Sequence, residues 1–153
     1  MNGIELIKDQ LEKAFYAGAW HGPSVMESLE NISAEQAISK PVKNVHSIWE
    51  IVLHINTWQA ITQRRISGEI ADPLPEEDWP EVKDSTQNSW EHTIRNLKTG
   101  ITKLLESLSK LDENILTENI RGKNYSYYFL IHGLIQHEVY HAGQISILKK
   151  TLS

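Results

Sequence analysis

The chain has 153 residues and no cysteine, which allows a substantial core without staples and excludes disulfides, thiolate metal ligands and a cysteine nucleophile. Fifteen basic and twenty acidic residues give a net charge of −5, and without a basic stripe this argues against a nucleic-acid partner. No long apolar run is present and the start, MNGIELIKDQLEK, mixes charges from Glu5 onward, so the expectation is one soluble, cytoplasmic domain over residues 1–153, with neither signal peptide nor membrane segment.

Ile4, Ile7, Leu11 and Phe15 recur at helical spacing and predict a first helix over residues 3–19. The run Trp20-His21-Gly22-Pro23-Ser24 breaks that period, and Pro23 is placed to open a short helix through Val25, Met26 and Leu29. His21 falls in this turn and reads as a surface or pocket-rim residue. Another short helical turn is expected within 33–40. Ser47-Ile48-Trp49-Glu50 is a capping-box pattern in which each side chain satisfies an orphan donor at the helix start, so a second long helix is predicted over 47–68, with Gly68 suited to its C-terminal cap. Its stripe runs Ile51, His54, Trp58, Ile61; His54 stands where a hydrophobe is expected. His46, just outside the cap, reads as a surface residue, with lining of the site as the alternative.

Between Glu69 and Asp84 lie seven carboxylates, one lysine and three of the five prolines, a composition that reads as a loop. Trp79 within it reads either as a cover over a pocket mouth or as an anchor pinning the loop to the bundle. Asp84 with Gln87 signals a third long helix over 84–109, whose stripe is Trp90, Ile94, Leu97, Ile101, Leu104 and Leu108. His92 falls off that stripe and should be solvated, and Gly100 inside it would permit close helix approach. Residues 112–125 read as a connection with a short extended piece over Ile115 to Ile120 and a turn at Gly122-Lys123-Asn124. Ser126 can cap a fourth helix over 126–150.

That last helix carries the chemistry. Leu130, Leu134, His137, His141, Gln144 and Leu148 follow 4, 3, 4, 3, 4 spacing, so two imidazoles sit in an apolar stripe, about 40° apart round the axis and about 6 Å apart along it. They can hold one metal ion. His137-Glu138-Val139-Tyr140-His141 also reads as HExxH, the zinc motif of metalloproteases with glutamate as general base. Those enzymes usually place the third ligand downstream, however, and Ala142 to Ser153 contain no His, Asp or Glu. His54 supplies the third ligand from upstream, whereas His132 points about 140° away from His137.

Three neutral imidazoles suit one divalent ion, Zn²⁺ or Ni²⁺ before others, with a coordination position left for water or substrate. Either water or an external thiol could be activated there. Glu138, about 100° round the axis from His137, could serve as acid or base while facing the site edge, a neighbouring subunit or water. Tyr140 and Gln144, within a turn of the ligands, could orient substrate or second-layer groups, although ring packing and helix-to-helix hydrogen bonding are their commoner uses. Ala142 and Gly143 read as close-packing residues.

HSIWEIVLHINTW, HGLIQHEVYHAGQI and the Trp20 to Ser24 segment resemble the DinB/YfiT-like metalloenzyme superfamily over nearly the whole chain. The resemblance implies an all-α, four-helix bundle in up-down-down-up order, a homodimer, and a metal triad at His54, His137 and His141. It also implies a metal-dependent transferase that uses a low-molecular-weight thiol of the bacillithiol, mycothiol or glutathione type on a small-molecule substrate; the alternatives are a metal-dependent hydrolase and a non-catalytic metal-stabilised binding module. Proteolysis is a distant third choice, since no strand run is visible to align an extended peptide.

Overall fold

Each of the four apolar stripes becomes a long helix, and shorter helical turns fill the connections. The computed structural model describes residues 1–152. In chain order the elements are α1 (Gly3–Phe15), α2 (Val25–Ser28), α3 (Ala34–Ile38), α4 (Ile48–Ile66), α5 (Pro75–Asp78), α6 (Gln87–Ser109), a 3₁₀ turn (Glu113–Thr117) and α7 (Tyr127–Lys150). Among the described residues no helix is long and apolar enough to cross a membrane.

The helix starts are fixed by side-chain caps. Ser47 Oγ accepts from the Glu50 amide while a Glu50 carboxylate oxygen accepts from the Ser47 amide at 2.7 Å, and Ser126 Oγ accepts from Phe129 at the head of α7. The third long helix starts later than the Asp84 to Gln87 pattern suggests: its N-cap is Thr86, whose hydroxyl accepts from the Ser89 amide, and Asp84 instead holds the Thr86 amide. The first helix ends at Phe15 rather than near 19, since Phe15 closes its buried stripe and Gly18 turns left-handed at φ +84°. The extended piece anticipated over 115–120 is a 3₁₀ turn followed by an isolated bridge between Asn119 and Ser126.

α4 packs against α6 and α7, and α1 closes the bundle against the same two helices. One contiguous core joins Leu11 and Phe15 of α1, Trp49, Ile51 and Ile55 of α4, Leu97, Ile101 and Leu104 of α6, and Ile131, Leu134 and Ile145 of α7. Gly100 leaves room for two α4 side chains, because a Cβ there would lie 2.7 Å from Gln59 Oε1 and 2.8 Å from Asn56 Oδ1. Ala142 is fully buried. Gly143 is exposed, and an added Cβ meets nothing within 4 Å, so the close packing read for it is not within this chain.

Candidate metal centre

α4 presents His54 towards α7, which presents His137 and His141 one turn apart. His137 Nε2 lies 3.0 Å from His54 Nε2 and 3.1 Å from His141 Nε2, and these residues form the one group of three or more possible ligands found among the described residues, their ligand atoms all within 4.8 Å of one another. The three imidazoles picked out by the stripes thus converge on one point.

The outer nitrogens fix the inner ones. His54 Nδ1 lies 2.7 Å from the Asp78 backbone oxygen; a carbonyl only accepts, so Nδ1 carries the proton and Nε2 of the neutral ring keeps a bare lone pair. His141 Nδ1 likewise donates to Gln144 Oε1 at 2.6 Å. Two lone pairs therefore face the third imidazole nitrogen, an arrangement that at most one proton can relieve and that a cation satisfies fully. Nitrogens sharing an ion at ~2.0–2.1 Å stand about 3 to 3.5 Å apart, so the donor set fits a divalent metal.

Electrostatics keep the rings neutral. Burial, reinforced by its two histidine neighbours, pushes His137 down to about 3, and burial also lowers His54 and His141. Asp78 Oδ1 approaches His54 Nδ1 at 3.1 Å, yet desolvation outweighs that carboxylate, so the contact is a hydrogen bond to a neutral ring rather than an ion pair. Trp58 Nε1 donates to the same Asp78 oxygen at 2.7 Å and holds it in place. His137 Nδ1 is buried without a partner.

The acidic loop folds over this centre. Trp79 stacks on His54 with centroids 3.8 Å apart and on His46 at 3.7 Å, so it both pins the loop and covers the site. Asp78 and Trp58 are the participants that sequence reading did not place. His46 is exposed as read, but its ring forms part of the cover. His21 and His92 are exposed and take no part, and His132 packs against Tyr128 instead.

The remaining site residues separate. Gln144 belongs to the centre through His141. Tyr140, 65% exposed, sets its ring edge-on to His141 at 5.1 Å. Glu138 is fully buried and faces neither site edge nor water: Gln59 Nε2 donates to its Oε1 at 3.0 Å, across the α4 to α7 contact. Burial, only partly opposed by that bond, pushes its carboxyl up to about 8. Its Oε2 and Gln59 Oε1 have no partner.

Two cavities reach the triad. One, of 320 Å³ between α4 and α7, is lined by His137 with Trp58, Thr62, Arg65, Tyr125, Phe129 and Gly133. The other, of 430 Å³, is lined by His141 with Val45, His46, Trp79, Tyr140, Gln144 and Ile147. No curated protein and no solved structure matches the chain. The family description "DinB superfamily" matches residues 20–145, a span that holds the loop, the His137 cavity and all three histidines. On that match, the chain belongs to the DinB superfamily.

Proposed function

We propose that this protein is a divalent-metal-dependent transferase in which a low-molecular-weight thiol attacks a small electrophile, with Zn²⁺ or Ni²⁺ held by His54, His137 and His141. The observation that carries the reading is the pair of separate cavities, one lined by His137 and the other by His141: a reaction joining two molecules needs two approaches to one centre, whereas hydrolysis needs a single substrate pocket. A bound divalent ion supplies Lewis acidity that lowers the pKa of a thiol or of water at neutral pH.

The chain's own residues hold and shield that centre. Asp78 and Gln144 fix the imidazole tautomers, and Trp79 and Trp58 keep bulk water off His54 and His137, which strengthens electrostatic interactions inside. Tyr140 stands at the mouth of the larger cavity and orients what enters there. Glu138 lies in the core against Gln59, so we assign it to setting α7 on α4, not to proton transfer, and set aside the HExxH protease reading. The proposal extends to a single domain with its long helices in up-down-down-up order, working in the cytoplasm as a homodimer.

Metal-loaded protein, prepared without an affinity tag, is to be incubated with a panel of thiols and a generic electrophile. Thiol-dependent turnover, lost in His137→Ala, is the expected result. Turnover without thiol would replace the transferase by a hydrolase, and silence across all thiols and esters would leave a binding module.

A further inference from the structure

Gly133 sits inside α7, where glycine is disfavoured against alanine, and nothing lies within 4 Å of a Cβ built on it. No turn and no close helix contact calls for it, in contrast to Gly100. What the missing side chain leaves is space in the 320 Å³ cavity that Gly133 lines, a volume at the small end of ligand sites.

That cavity has an aromatic wall and a charged residue. Trp58, Tyr125 and Phe129 line it, and His137 belongs to both cavity and triad. Arg65, about three turns along α4 from His54, is 5% exposed. Its Nε donates to the Ala71 carbonyl, Nη1 to the Tyr125 hydroxyl and Nη2 to Asp72, which leaves two of its five N–H groups uncommitted. Lys123 takes the same Asp72 oxygen at 2.6 Å. Two cations thus share one carboxylate, a surplus of positive charge on a chain whose net charge is −5.

We infer that this cavity is the subsite of the electrophilic substrate, and that the substrate is a small carboxylate with an apolar, aromatic body. The ring lies among Trp58, Tyr125 and Phe129, the carboxylate meets Arg65, and the reacting end faces His137. The inference rests on the proposed function for the substrate's role in the reaction, but not for its binding.

Calorimetric titration of metal-loaded and metal-free protein with 4-phenylbutyrate, and with 4-phenylbutanol as its uncharged counterpart, tests this. The acid should bind, and the alcohol should bind roughly tenfold more weakly. Gly133→Leu should weaken the acid roughly tenfold or more at unchanged metal content and helical signal, with Gly133→Ala as the milder variant if leucine disturbs folding. Equal binding of acid and alcohol would overturn the carboxylate assignment. No binding of either, or undiminished binding in both folded glycine variants, would overturn the subsite. Acid binding by a protein that takes up no metal would sink the proposed transferase and uphold the subsite.

Discussion

Trp79 lies flat on His54, with ring planes 4° from parallel, and His46 lies on the opposite face of the same indole at 6°. One imidazole of the triad is thereby clamped by a loop residue, itself clamped by a residue just before α4. Trp79→Ala should weaken metal binding by roughly 10- to 100-fold, the usual cost of removing an outer-layer support, while Trp79→Phe keeps most of it. Competition against a chelator of known affinity measures both, and equal affinity in wild type and the alanine variant would show that the stack is only packing.

Gln144 has a sharper role, since its Oε1 alone fixes the His141 tautomer at 2.6 Å. Gln144→Leu keeps the bulk and removes the acceptor, so metal affinity should again fall by roughly 10- to 100-fold. Gln144→Glu retains an acceptor and should restore most of it. A leucine variant as tight as the glutamate one would refute the assignment.

Glu138 sets a pH signature on the metal-free protein. Its folded-state pKa is raised from 4.5 to about 8 by burial, so the unfolded chain releases this proton first as pH rises. The stability it contributes is complete below 4.5 and is lost as pH climbs through about 8. The lowered histidines act in the opposite sense: stability is present above their ordinary value of 6.5 and lost as pH falls towards their folded values. Glu138→Gln leaves the histidines in place, so the variant should gain in Tm over wild type progressively across the Glu138 window and by a constant amount above it. Parallel Tm curves throughout would mean that Glu138 is ionised in the fold.

Two glycines should answer the same substitution with opposite signs. Gly100→Ala puts a Cβ 2.7 Å from Gln59 Oε1 and 2.8 Å from Asn56 Oδ1; Asn56 can swing aside, but Gln59 is buried and bonded to Glu138, so the variant should cost about 1 kcal/mol by overpacking. Gly133→Ala meets nothing within 4 Å and should gain about 0.5–1 kcal/mol from helix propensity and a less flexible unfolded chain. Urea denaturation of both variants decides it, and a stabilised Gly100→Ala would show that α4 and α6 have room to separate.

The triad was legible because His54, His137 and His141 each interrupt an apolar stripe, and a stripe fixes facing without knowledge of the partner helix. Trp79 was legible as a cover or an anchor but its target was not, since the path of an acidic, proline-rich loop follows no period; nothing local in Asp78-Trp79 says which histidine it will meet. Glu138 was misdirected by its motif. A step of about 100° from His137 carries it onto the contact with α4, where Gln59 waits between Ile55 and Thr62, both buried. That polar interruption of the α4 stripe was the available sign of a buried partner. Helix ends were shifted by competing caps, Thr86 displacing Asp84 and Gly18 ending α1 early.

His54 is fastened on its outer side by Asp78 and Trp79, residues of a connection rather than of another long helix. An ion held by the triad would therefore be thermodynamically linked to this segment: each would draw on the same imidazole in the same pose, and by reciprocity whatever factor the loop adds to ion affinity the ion would return to loop closure. A nick in the exposed stretch from Leu74 to Glu77 would loosen the ion, and an ion in place would shield that stretch from the protease. The acidic connection would then act as a latch whose state is reported by how tightly the three helix-borne histidines hold a metal ion.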